Sequence, residues 1–112
     1  MNNVSDINVK FYKNEDVVKI VGIIPREHQH LRLLIFFKDQ VIVLHEATVA
    51  AIVRAYVNIV SHPTRRAVEL IQTRLGKDVR KLGYAEVQLV DSLRSEDEIL
   101  SEYNVIFSST RK

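Results

Sequence analysis

Apolar residues are concentrated in four short segments of the N-terminal half of the chain. The first of them, residues 7–12, places an apolar side chain at every second position. A period of two is typical of a half-buried strand, because successive side chains point to opposite faces. The second segment ends at Pro25, which has no amide hydrogen to donate to a strand ladder. The pattern predicts strands at 7–12, 17–24, 31–37 and 41–44, joined in a meander.

The spacing changes at residue 46, where apolar side chains begin to recur at offsets of three and four. This period predicts a helix over 46–60. Alanines occupy much of the remaining helix surface, and a helix that is apolar nearly all round is usually buried. Small side chains also permit the close approach of another helix. The recurring residues are Val49, Ile52, Val53, Tyr56 and Val60.

Two further elements are predicted between the first helix and residue 90. Pro63 breaks the first helix and suits the first turn of a second one, which we predict over 63–75. Alternation then returns over 84–90 and predicts a fifth strand.

A helix start is predicted near the C-terminus. Ser95 and Glu98 have the spacing of a capping box, in which each side chain accepts a hydrogen bond from an amide that the helix leaves unpaired. Glu96 and Asp97 suit the positive end of the helix dipole. Residues 104–107 fit either an extension of this helix or a short last strand.

These elements predict an α+β fold, in which an antiparallel four- to five-stranded meander sheet packs with two or three helices. The chain has 112 residues, of which 46% are hydrophobic and 27% charged, so we predict a single domain over 1–112. The absence of cysteine excludes disulfides and thiolate chemistry. The first residues lack the pattern of a signal peptide, and no apolar run reaches the roughly 18 residues of a membrane span. We therefore expect a cytoplasmic protein without membrane contact, and its abundant Ile, Val, Arg, Lys and Glu suit a thermophile.

The segment 31–60 is unusually apolar, with nine polar side chains among its thirty residues. Both faces of its predicted hairpin are apolar, so both need to be covered. The helices of one domain can cover one face. We therefore expect a homo-oligomer, most simply a dimer, that associates through the sheet or the alanine-rich helix.

Charge is distributed unevenly, although the formal net charge is only +2. Residues 65–81 hold six basic residues against two acidic ones, and from residue 84 to the end of the chain six acidic residues face three basic ones. This asymmetry fits either an anionic partner or pairing between the two segments. The basic segment, the name used below for these six residues, consists of Arg65, Arg66, Arg74, Lys77, Arg80 and Lys81.

Arg65 and Arg66 fall in the first turn of the predicted second helix, where the dipole disfavours each cation by about 0.3–1 kcal/mol. The same place offers backbone amides that attract anions, so a phosphate fits there together with His62 and Thr64. Nucleic-acid backbone is the partner that suits the rest of the basic segment. No aromatic residue is interleaved with these basic residues, which argues against a surface that stacks nucleobases.

The four histidines are the other candidate chemistry. His28 and His30 lie two residues apart and share a face if the chain is extended, as pairs of metal ligands often do. The strand register decides whether His45 joins them. Pairing Phe37 with Gln40 places His45 opposite Arg32, and a shift of one residue sends it to the other face.

The sequence therefore predicts a non-catalytic, homo-oligomeric binding module without a cofactor, which contacts nucleic-acid backbone or another anionic partner through the basic segment. One alternative is a small metal- or histidine-dependent hydrolase or nuclease. The other alternative is a purely structural oligomerisation protein. No HExxH motif, phosphate loop or nucleophile elbow favours the enzyme.

Overall fold

The computed structural model describes residues 8–74 and 87–107. The chain divides into two compact units, Met1–Val49 with Glu102–Lys112 and Ala50–Ser101, and each is described by itself. The described residues have an α+β architecture with antiparallel sheets of three and two strands and two α-helices. The prediction of a single domain stays a prediction. The elements are β1 (Lys19–Ile23), β2 (Arg32–Phe36), β3 (Val41–His45), α1 (Glu46–Val60), β4 (Leu70–Arg74), β5 (Val87–Asp91) and α2 (Glu96–Tyr103), with 3₁₀ turns at Asn14–Asp16 and Asn104–Ile106.

The sheet of the first unit has the order β1-β2-β3, and its three strands confirm the predicted meander over 17–44. The Phe37 amide donates to the Gln40 carbonyl at 2.8 Å, which closes the turn between β2 and β3. This turn fixes the register in which Arg32 lies opposite His45, the first of the two alternatives considered above. All residues from 31 to 37 are half-buried, because β2 is the central strand.

The strand predicted over 7–12 is wrong for residues 8–12, which have no regular structure. Aromatic contacts hold this segment in place of ladder hydrogen bonds. The Phe11 ring packs edge-on against Phe107, with centroids 5.8 Å apart, and the Tyr12 ring lies 4.2 Å from that of Phe37. Large rings satisfy the alternating pattern equally well when they pack beside a sheet without joining it.

The first helix, α1, has the bounds that the sequence predicts. Its first residue, Glu46, accepts a hydrogen bond from the Leu31 amide at 2.7 Å. Leu31 lies one residue before β2, so the carboxylate satisfies an amide at the point where the ladder with β3 ends. This contact fixes the start of α1 next to the sheet of the first unit.

The helix predicted over 63–75 is wrong for residues 63–74, and residue 75 lies outside the described residues. Residues 65–69 have no regular structure, and β4 pairs with β5 in a two-stranded sheet, with Leu70 opposite Asp91. Ile71 and Thr73 are β-branched, and such side chains favour cross-strand pairing. This pairing overrides the helical spacing, which rested on a few apolar residues. The fifth strand predicted over 84–90 is confirmed for residues 87–90, but it belongs to this second sheet and does not extend the meander.

The capping box at the start of α2 is confirmed. The Ser95 amide donates to the Glu98 carboxylate at 3.0 Å, and the Glu98 amide donates to the Ser95 hydroxyl at 3.2 Å. The turn before it holds Leu93 in a left-handed conformation, with φ of 65° and 86% of the residue exposed. The 3₁₀ turn at Asn104–Ile106 decides between the two alternatives for residues 104–107: the chain extends α2 and forms no strand there.

Few residues are buried. Within residues 8–74 and 87–107 they are Ala51, Ala67 and Ile99, all of them in the second unit. Arg54 of α1 donates to the Leu89 carbonyl of β5 at 2.7 Å, which ties the helix to the sheet of that unit. The remaining apolar residues are half-buried or exposed, so the described chain leaves much apolar surface in contact with water.

Candidate functional site

The loop that follows α1 determines how the basic segment begins. The ring Nδ1 of His62 lies 3.0 Å from the Asn58 carbonyl and 3.1 Å from the Ser61 hydroxyl, so the imidazole occupies the C-terminal end of the helix. The Arg65 amide then donates to the His62 carbonyl at 3.2 Å and closes a turn around Pro63. Arg65 and Arg66 therefore lie in a segment without regular structure, and no helix N-terminus lies beside them in this described loop.

Acidic side chains of the same unit surround Arg65. Its guanidinium lies 3.7 Å from the Asp91 carboxylate and 3.9 Å from the Glu96 carboxylate. Its Nε also donates to the Ala67 carbonyl at 3.4 Å. Glu96 accepts a further hydrogen bond from the Arg66 amide at 3.3 Å, so one carboxylate contacts both residues. The anions that Arg65 binds in this structure are the protein's own side chains.

A second ion pair of this unit joins Arg94 and Glu69. Arg94 Nη1 lies 3.1 Å and 3.3 Å from the two carboxylate oxygens of Glu69, and its Nη2 donates to the Glu98 carbonyl at 3.5 Å. Glu69 is the most protected of these charged groups, since only 11% of its side chain is exposed. Together the two arginines connect the loop before β4 with the turn that precedes α2.

These ion pairs show that the basic and acidic segments contact each other. The acidic residues beyond position 84 pair with Arg65 and hydrogen-bond the Arg66 backbone, so pairing between the two segments occurs within one chain. The Arg66 and Arg74 side chains are exposed. Lys77, Arg80 and Lys81 lie outside the described residues.

The histidines do not converge in the described part of the chain. His28 Nδ1 lies 2.9 Å from the Arg26 carbonyl, and His30 Nδ1 lies 3.8 Å from the Glu46 carboxylate. His45 lies opposite Arg32 at the end of β3. Within residues 8–74 and 87–107, no group of three histidine or acidic side chains has the geometry to hold a metal ion.

The capping box of α2 lowers the pKa of one of its carboxyl groups. The hydrogen bond from the Ser95 backbone lowers the pKa of Glu98, and the Ser95 side chain and the charge of Arg94 add to this effect. Glu98 is fully exposed, so its role is to hold the first turn of the helix in place.

The most distinctive surface is an exposed apolar face of α1, the helix for which the sequence predicts burial against the domain or against another copy. We call it the outward face of α1; its side chains are 48–66% exposed and none is charged. The opposite side of the helix holds buried Ala51 and half-buried Ala55 and Ile59. At 3.6 residues per turn, the exposed positions form one continuous stripe along two turns. The outward face of α1 consists of Ile52, Val53, Tyr56, Val57 and Val60.

A sequence signal for this face did exist. The side of α1 that packs inward carries mostly small residues, whereas the bulky β-branched residues and the tyrosine lie on the other side. A soluble helix normally has charged residues on its solvent side, and α1 has only Arg54 near the margin of the stripe. Apolar residues on both sides of a helix therefore predict two packing partners.

Comparison with protein-family models, with curated proteins and with solved structures found no match to this chain. None of the helices in the described ranges has the length and apolar character needed to cross a membrane.

Proposed function

We propose that the chain is a non-catalytic, homo-oligomeric binding module whose copies associate through the outward face of α1. The observation that carries this proposal is the set of five uncharged side chains on that face, each about half exposed or more. A monomeric soluble protein rarely exposes a continuous apolar patch of this kind, and such patches usually mark an interaction surface.

A second copy of the chain is the partner that this surface fits. In a two-fold dimer the same patch lies on both sides of the interface, so the patch must be complementary to itself. An uncharged apolar stripe meets this condition, because it places no like charges against each other. Val53, Tyr56 and Val60 are separated by three and four residues, which is the spacing of the seam between two packed helices.

The size of the stripe sets the strength of association that we expect. Full burial of one such side chain contributes about 1.5–3 kcal/mol, so covering the exposed half contributes about 1 kcal/mol. Five side chains on each of two copies then contribute about 10 kcal/mol, against an association cost of about 4–15 kcal/mol. At the low end of that cost about 6 kcal/mol remains, so we expect a dimer that dissociates at tens of micromolar.

Val53→Glu tests the proposal, because Val53 belongs to the stripe and half of it is already exposed. The added charge would be buried without a partner in the dimer but stays in water in the monomer. Light scattering after size-exclusion chromatography should show association of the wild type and a lower mass for Val53→Glu at the same protein concentration. Gln72→Glu is the matched control, since it adds the same charge at an exposed position of β4. A wild type that is monomeric at high concentration, or a Val53→Glu variant of unchanged mass, would refute this function.

Contact with nucleic-acid backbone is a second candidate, supported by the exposure of the Arg66 and Arg74 side chains. In this candidate Arg65 has a different role, since it pairs with Asp91 and Glu96. Phosphate contacts then come from the other members of the basic segment: Arg66, Arg74, Lys77, Arg80 and Lys81.

A duplex shift assay across salt concentration tests this candidate. The double change Arg66→Ala with Arg74→Ala should weaken binding and reduce the salt slope by about 0.9 for each lost phosphate contact. Lys38→Ala, in the exposed turn between β2 and β3, is the control for loss of a positive charge elsewhere. Absence of binding at low salt, or binding that salt does not change, excludes nucleic acid.

A further inference from the structure

We infer that β1 is a second self-association surface, at which the sheet of the first unit pairs antiparallel with β1 of another copy. Among residues 8–74 and 87–107 the sheet order is β1-β2-β3, so β1 is an outer strand with β2 on one side. The backbone N–H and C=O groups on the other side of an outer strand are available to a further strand. This surface belongs to a different unit from the outward face of α1.

The side chains along this strand are apolar and exposed to an unusual degree. Val18, Ile20 and Ile24 are 61%, 59% and 58% exposed. They occupy even-numbered positions, so they share a face of a chain that is extended through them. Three large aliphatic side chains in one exposed row at an open sheet edge are a template for strand pairing.

The usual protection against strand pairing is weak here. Soluble proteins guard their outer strands with charged side chains, prolines or bulges. Within residues 17–24 the one charged side chain is that of Lys19. Its Nζ lies 4.7 Å from the centroid of the Phe36 ring, so the ammonium group lies over the neighbouring strand of its own sheet and away from the open edge.

Self-complementarity identifies the incoming strand as β1 of a second copy. An antiparallel pair centred on Val21 places Val18 opposite Ile24, and Ile20 opposite Gly22, twice by symmetry. Each exposed aliphatic side chain therefore meets an apolar or small neighbour, and Lys19 lies opposite Ile23, so no two lysines face each other. The two three-stranded sheets become one sheet of six strands.

The chain contains no cysteine, which permits a direct test by cross-linking. Val21→Cys places a thiol at the centre of the proposed pair, where opposed Cα atoms lie about 4.5–5.5 Å apart, within reach of a disulfide. We expect a disulfide-linked dimer under mild oxidation. Val43→Cys is the matched control, because Val43 is the central residue of β3, the outer strand at the opposite edge.

Two further variants test the register. A mixture of Val18→Cys and Ile24→Cys should give mainly the mixed dimer, while each variant alone should cross-link weakly. The proposal is overturned if Val21→Cys, folded by circular dichroism, cross-links no faster than Val43→Cys at the same concentration. Combining Val21→Cys with Val53→Glu separates the two interfaces: cross-linking should persist, and its loss would assign both variants to one interface and overturn β1 as a second surface.

Discussion

Replacement of Arg94 by leucine tests the ion pairs that organise the second unit. The guanidinium of Arg94 contacts both carboxylate oxygens of Glu69, at 3.1 Å and 3.3 Å. The Glu69 side chain is 11% exposed and the Arg94 side chain 34%. Removing the arginine leaves a carboxylate that is mostly shielded from water without this partner, which is the costly way to break an ion pair.

The expected loss of stability follows from this partial burial. Removing one partner of a fully buried pair costs about 3–5 kcal/mol, whereas an exposed pair contributes about 0–1 kcal/mol. The Glu69–Arg94 pair lies between these limits, and we expect Arg94→Leu to lower the free energy of unfolding by about 2 kcal/mol. For a chain of this size that corresponds to a decrease in Tm of roughly 10 °C.

Urea unfolding followed by circular dichroism measures this loss, at one protein concentration because association also affects stability. Arg66→Leu is the control, since it removes the same charge from an exposed side chain and should cost under about 0.5 kcal/mol. The double change of Arg94 and Glu69 to leucine should regain part of the stability, because it removes the shielded carboxylate together with the arginine that contacts it. If Arg94→Leu costs no more than Arg66→Leu, the pair does not stabilise the fold and the reasoning fails.

Three smaller predictions concern the segment around α2. Ser95→Ala should lower the free energy of unfolding by about 1 kcal/mol, because an N-cap is lost, and an unchanged Tm would contradict the capping role. The pKa of Glu98 is lowered from its usual 4.5 in the folded chain, so its stabilising contribution is complete above pH 4.5 and disappears as the pH falls through the folded pKa. The acid unfolding of Glu98→Gln should therefore lack this part of the pH dependence of the wild type. Leu93→Gly should raise the stability by about 1 kcal/mol, because φ at this residue is 65° and its side chain is 86% exposed, and a lower Tm would contradict the assignment of strain there.

Local patterns predicted the elements whose signals come from within a few residues. The helix over Glu46–Val60 and the capping box at Ser95 were both predicted at their observed positions. The register between β2 and β3 follows from the short turn after Phe37, which joins strands that are adjacent in sequence. In these cases the spacing of apolar residues and the turn geometry act together.

The prediction of a second helix was wrong because the apolar pattern is ambiguous and the strand that pairs with this segment is distant in sequence. Leu70–Arg74 pairs with Val87–Asp91, and a spacing of apolar residues read along one segment gives no information about that pairing. The predicted anion site depended on this helix. Because the segment around Arg65 is not helical, Arg65 has no helix N-terminus beside it, and it pairs with Asp91 and Glu96.

The exposure of the outward face of α1 could not be predicted, for a different reason. Hydrophobicity predicts that a side chain favours contact with other apolar groups, but it does not distinguish a partner in the same chain from one in another copy. The expectation of a homodimer came from this excess of apolar residues, and the exposed stripe of Val53 and its neighbours gives that expectation a definite surface.

Sedimentation equilibrium of the wild type and Val53→Glu, over a wide range of protein concentration, tests the central proposal most directly. The chain has a mass of 12.9 kDa. The account predicts that the wild type reaches at least twice this mass at high micromolar concentration, and that Val53→Glu associates at least ten-fold more weakly, the effect of about 1.4 kcal/mol. A wild type that stays at 12.9 kDa throughout, or two proteins with the same dissociation constant, would contradict it.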